Sequence, residues 1–170
     1  MKSTRLFRAL SGAFLGLALT LPAWGADPLS STVAPSKADP NAAKVFRLLK
    51  ADGYDYTQKS DTVWYVMKHG STLGDFKVIG ANEGDLLVVF VTVAKKEHIE
   101  MDLDFASKML SLNNDLDQVK IGIDNDGDAF VRTDISIRIL DKESFKAVVE
   151  QVGASAEEAF AAIKPYTDYK

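Results

Sequence analysis

From Gln118 to Leu140 apolar and polar positions alternate on both sides of a charged turn. Val119, Ile121 and Ile123 are spaced by Lys120, Gly122 and Asp124; later Val131, Ile135, Ile137 and Ile139 are spaced by Arg132, Asp134, Ser136 and Arg138. A period of two gives each arm one face for a core and one for solvent. The connecting Asp124-Asn125-Asp126-Gly127-Asp128 concentrates residues that tolerate left-handed backbone or cap a turn through a side-chain oxygen. The pattern predicts a long β-hairpin with its charged tip in water.

Upstream, Asp39-Pro40 is a helix start, and Ala42, Val45, Leu48 and Leu49 give the helix an apolar stripe that ends at Gly53. Strands follow at Tyr54–Lys59, Thr62–His69 and about Leu73–Gly80, and Asn82-Glu83-Gly84-Asp85 turns the chain into a fourth. That fourth strand, Leu86–Val93, is apolar at nearly every position, so both of its faces should be covered wholly or in part. Leu87, Val89, Val91 and Val93 are assigned to the core, leaving Val88, Phe90 and Thr92 on the other side, where Trp64 and Val66 are expected to join them. Acidic residues then precede an amphipathic helix carrying Phe105, Met109, Leu110 and Leu112. After the hairpin, Asp141 caps a helix with Phe145, Val148, Val149 and Val152 on one stripe. Gly153 is expected to break or bend it, and Ser155 with Glu158 forms a capping box for a last helix that Pro165 stops. Tyr166–Lys170 should fray. The order predicts an α+β fold, an antiparallel sheet with helices packed on one face.

The N-terminus has a different character. Lys2, Arg5 and Arg8 precede an apolar run, Ala9–Leu21, and the small-residue pattern Ala23-Trp24-Gly25, which together read as a secretory signal peptide over 1–25. The run is shorter than the ~20 residues of a membrane span, so no stable membrane anchor is expected after cleavage at Gly25 or Ala26. Residues 26–38 are rich in Pro, Ser and small side chains and read as a flexible linker to a single domain over 39–170. The expected destination is outside the cytoplasm, in the periplasm of a double-membraned cell. The whole chain has 20 basic and 24 acidic residues, a formal charge of −4, and losing the leader makes it more acidic. That balance argues against nucleic-acid partners. With no cysteine in the sequence, disulfides, thiolate nucleophiles and zinc ribbons are ruled out together.

Candidate chemistry is sparse. His98 with Glu100 and Asp102 offers imidazole and carboxylate ligand types, but a spacing of two does not hold one face of a helix. Asp124, Asp126 and Asp128 resemble the start of a calcium loop. An EF-hand needs glycine sixth and a bidentate glutamate twelfth, whereas here glycine is fourth and Ile135 twelfth. The turn is therefore assigned to solvent rather than to metal, and no cofactor is expected. The sequence has only His69 and His98 as imidazole bases, no serine elbow and no phosphate loop, so a non-enzymatic role is expected.

The run Leu112-Asn113-Asn114-Asp115-Leu116, continuing through Val119–Asp124 and Asp126-Gly127-Asp128 into Val131-Arg132-Thr133-Asp134, then Asp141 and the Phe145 helix, resembles the YbjN family. The likeness covers roughly Ala43–Tyr166 and is most specific from Leu112 to Pro165. It implies a sensory-transduction regulator with a type III secretion chaperone-like fold, and it carries no catalytic residues to transfer. The expectation is an exported, chaperone-like module that holds a protein or peptide partner on its sheet face or at a sheet edge. Trp64 and Phe90 would form an apolar patch beside a polar strip of Arg132, Asp134 and Arg138. The alternative is a homodimeric sensor of a small ligand held between sheet and helices.

Overall fold

In the computed structural model, which describes residues 39–170, the chain enters its first helix, α1 (Pro40–Ala51), at Asp39. The Asp39 carboxylate accepts from the Asn41 amide at 2.9 Å, and Pro40 fills a first-turn position where its missing N–H costs nothing. The signal peptide and linker read at 1–38 lie outside the described residues. Four strands follow: β1 (Tyr56–Gln58), β2 (Val63–His69), β3 (Asp75–Glu83) and β4 (Leu86–Ala94). A 3-10 turn at Lys96–His98 leads into α2 (Leu103–Asp115), which Asp102 caps by accepting from the Phe105 amide at 2.8 Å. The hairpin β5 (Lys120–Ile123) and β6 (Ala129–Ser136) comes next, and α3 (Lys142–Ile163) closes the chain.

The six strands form one antiparallel sheet in the order β1-β2-β3-β4-β6-β5. All three helices contribute to a single core on one face of it. Val45 and Leu49 of α1, Phe105 and Met109 of α2, and Phe145, Val149 and Val152 of α3 pack with Leu87, Val89 and Val91 of β4. This is the α+β architecture, an antiparallel sheet with helices on one face, expected from the element order.

Several local expectations are corrected. The second hairpin arm leaves the sheet at Ser136: the Ile137 amide donates to the Asp85 carbonyl at 2.9 Å, and a 3-10 turn over Ile137–Ile139 buries Ile137 and exposes Ile139. The hairpin tip is not wholly in water. Asp128 is buried and accepts from Lys95 Nζ at 2.5 Å and from the Lys96 amide at 3.0 Å, which ties the tip to the end of β4. Gly153 does not break α3, which runs through it as one helix, because Ser155 and Ala156 are buried and continue the stripe. The C-terminal tail is pinned: Thr167 bridges to Ile99, the Glu100 amide donates to the Tyr166 carbonyl, and the Tyr169 ring stacks edge-on against Phe160 at 5.6 Å.

Two side chains replace missing strand or turn partners. Asn113 of α2 accepts from the Ile121 amide and donates to the Ile121 carbonyl, both at 2.8 Å, so its amide occupies the outer edge of β5 as a strand would. Glu157 of α3 accepts from the amides of Thr72 and Leu73 at 2.9 and 2.8 Å, fixing the β2–β3 connection onto the helix. Burial pushes the Glu157 carboxyl up, but these backbone donors and the Ser71 hydroxyl outweigh it and hold the acid below its ordinary value.

Candidate functional site

With every helix of the described residues on one side, the other side of the sheet is open among those residues. Residues facing one another across an antiparallel ladder share a face, so the register defines this surface directly. Tyr65 faces Ile79, Ile79 faces Phe90, Phe90 faces Arg132, and Arg132 faces Lys120. Thr57 extends the same row at β1. One line of side chains therefore crosses all six strands, with an aromatic and aliphatic centre at Tyr65, Ile79 and Phe90.

The proposed partner-binding residues separate on this geometry. Phe90, Arg132 and Asp134 lie together on the open face: Arg132 Nε donates to Asp134 Oδ1 at 2.5 Å, and Lys120 Nζ donates to Asp134 Oδ2 at 2.6 Å. Burial raises the Asp134 carboxyl, and the two cations overcome that and hold it below the usual carboxylate value. Trp64 is not part of this patch. It faces Gly80, is fully buried on the helix side and packs against Phe145 at 5.8 Å; Val66 is buried beside it. The reason is steric: Gly80, with no side chain, leaves the space the indole fills. Arg138 lies in the 3-10 turn after β6 rather than in the strand row, and its carbonyl, like that of Ile137, accepts from Lys44 Nζ of α1.

The other sequence candidates are engaged within the fold. Asp124 Oδ1 accepts from the amides of Asp126 and Asp128, both at 2.9 Å, as a turn cap, while Asp128 takes Lys95. His98 pairs with Asp168 at 2.7 Å and stacks on Tyr169, and Asp102 serves as the α2 cap. Among the described residues no three His, Cys, Asp or Glu side chains are grouped to hold a metal ion. His69 is largely exposed and pairs with Asp75 at 2.7 Å where β2 passes to β3.

Two features had no signal within any single segment. On the open face Lys59 and Lys77 place their ammonium groups 5.3 and 5.0 Å from the centre of the Tyr65 ring. Neither lysine has a carboxylate in ion-pair range among the described residues. The Tyr65 phenol is held below its ordinary value, first by the neighbouring Thr57 hydroxyl and then by these two cations. The second feature is a fork in the sheet. β3 and β4 pair from the Gly84-Asp85 turn as far as Ile79 opposite Phe90 and no further. Beyond that point Asp75–Val78 pair only with β2, and Val91–Ala94 line up only with β6. A cleft of about 490 Å³ lies between the diverging strands, lined by Lys77 and Ile79 on one side, Thr92 and Lys95 on the other, and Phe160 and Tyr169 from the C-terminal segment. A smaller hollow of about 250 Å³ lies farther along the face, between Phe90, Phe130 and Arg132.

Solved structures share this architecture. The ExoU–SpcU heterodimer of the Pseudomonas aeruginosa type III secretion system includes a chain that matches with a TM-score of 0.51 and 12% identity, over 72% of this chain and 96% of that one. A chain of the ExsC–ExsE complex matches with a TM-score of 0.52 and 12% identity, over 72% and 92%. YbjN from E. coli matches with a TM-score of 0.51 and 14% identity, again over 72% and 92%. At these identities the likeness is one of fold. No curated protein sequence matches the chain significantly. The family model described as "Putative bacterial sensory transduction regulator" matches residues 41–165, all six strands of the sheet and, but for Pro40, the three described helices, and the chain belongs to that family, YbjN.

Proposed function

We propose that this protein is a non-catalytic, chaperone-like regulatory module that binds a protein partner on the helix-free face of its sheet. The observation that carries this reading is the row Tyr65–Ile79–Phe90–Arg132, an apolar centre with cationic flanks on a face that no helix of the described chain covers. Two of the structures with this fold are named as complexes of two proteins, which supports a partner-binding role for the architecture. The leader sequence supports an exported, periplasmic protein.

The test is affinity capture from envelope extract with the wild type and a Phe90→Asp variant, each checked for fold by circular dichroism. A polypeptide held by the wild type and lost from the folded variant is the expected result. Equal retention by both removes Phe90 and its row from the reading.

Small-ligand sensing draws on the cleft in the fork, whose volume lies within the range of about 300–1,000 Å³ common for ligand pockets. It differs from the expected location, because the cleft opens between strands while the space between sheet and helices is filled by Trp64, Phe105 and Phe145. A second copy is a further occupant for the exposed Leu103 and Leu110 of α2, which lie two turns apart on one side of that helix. Sedimentation of the purified protein separates that case from a monomer.

A further inference from the structure

The two outermost strands of this sheet offer little to a partner strand. β1 has three residues, and the β5 edge at Ile121 is already taken by the Asn113 amide. Past the ends of those two strands Met67–His69 of β2 and Thr133–Ser136 of β6 also have a ladder on one side only, but the two runs that face each other across a gap lie inside the sheet. Asp75–Val78 and Val91–Ala94 each have a ladder on one side only and make no other backbone hydrogen bonds among the described residues. Backbone N–H and C=O groups held in extended geometry are a template for another strand.

The walls of this fork define what could enter. Phe160 and Tyr169 give the cleft apolar surface, and Phe76 adds to it from β3. Lys77 stands on the β3 side with no carboxylate in range among the described residues, next to Lys59 across the Tyr65 ring, whereas Asp75 is engaged by His69 and Lys95 by Asp128. The charge of the face contrasts with that of the chain. The open face collects Lys59, Lys77, Lys120 and Arg132 against Asp75, Glu83, Asp124 and Asp134, a balance of charge, while the whole sequence is net negative at −4.

We infer that the fork between β3 and β4 receives an extended acidic polypeptide segment, which pairs its backbone with the free strand edges, places apolar side chains toward Phe160 and Tyr169, and sets a carboxylate at Lys77 and Lys59. This rests on the partner-binding reading above and names both the mode and the chemistry of the partner. Main-chain pairing supplies affinity in such an arrangement, and alternate side chains supply selectivity. The two lysines favour an acidic strand over a basic one of equal hydrophobicity.

The probe is a synthetic nonapeptide alternating glutamate with valine or phenylalanine. It is compared with the same peptide carrying lysine for glutamate and with a version N-methylated at alternate residues, which cannot pair as a strand. Amide exchange and chemical shifts are read on the isotope-labelled protein. The expected result is slowed exchange at residues 75–78 or 91–94 with the acidic peptide, and binding weaker by about tenfold or more for each control. In a Lys77→Glu variant with unchanged circular dichroism, the preference for the acidic peptide should be lost. The inference is overturned if the acidic peptide leaves those amides unprotected, if the N-methylated peptide binds equally, or if protection appears with rising protein concentration alone, which would make the occupant a second copy. Failure here with a partner still lost from Phe90→Asp would leave the binding face in place and remove only the strand mode.

Discussion

The indole of Trp64 lies so close to the backbone of Gly80, its cross-strand neighbour, that a Cβ at position 80 would stand 2.1 Å from Cζ2. The two residues are sixteen apart in sequence, and their fit decides which side of β2 faces the helices. Gly80→Ala must push the ring out of a filled core against Phe145. The expected loss is about 1–3 kcal/mol in denaturant unfolding, with a change in tryptophan emission, since overpacked cores cost that much.

Asn113 caps the edge of β5 through two hydrogen bonds to one residue, Ile121. Asn113→Ala leaves an amide and a carbonyl of a short strand without those partners. A loss of about 1–3 kcal/mol is expected, together with faster hydrogen exchange at the Ile121 amide. If exchange at Ile121 is unchanged, the capping role is wrong.

These two cases mark where the sequence was informative. The strands with one-sided alternation and the helices opened by Asp39, Asp102 and Asp141 were legible because period and caps are local signals. β2 is apolar on both sides, with Val63, Tyr65 and Met67 against Trp64 and Val66, so its orientation depended on a glycine in another strand. Alternation alone therefore groups Trp64 with Phe90, whereas Phe90, Arg132 and Asp134 do share one face. The fork had no local signal at all, because it arises from which ladders end where. Ser155 and Glu158 carry the spacing of a cap in sequence, yet burial of Ser155 keeps the helix continuous.

Gly153 is a tolerated weakness in α3. A Cβ there would meet Val78 Cγ2 at 3.8 Å and the Phe76 ring at 4.0 Å, which is ordinary van der Waals contact. Gly153→Ala is expected to raise stability by about 0.5–1 kcal/mol, the usual helix-interior difference between the two residues, as seen in the thermal midpoint.

Lys95 and the Lys96 amide hold the Asp128 carboxyl below its ordinary value of 3.8. The unfolded chain therefore takes up this proton more readily than the folded one. The stability that Asp128 contributes is present in full above the unfolded value and is lost as pH falls through the lower folded value. Between about pH 5 and pH 2 the wild type should lose more stability than Asp128→Asn, and the two curves should converge at the acid end. Parallel curves across that interval would show that the hairpin tip is not held by this charge.

The last helix has a consequence for how the chain is made. α3 begins at Lys142 and supplies Phe145, Val149, Val152, Ala156, Ala159, Phe160 and Ile163 to the core, so the inner side of the sheet has its main cover only when the C-terminal end of the polypeptide has emerged. A nascent chain stopped before that point would expose β4 and β6 without their principal partner.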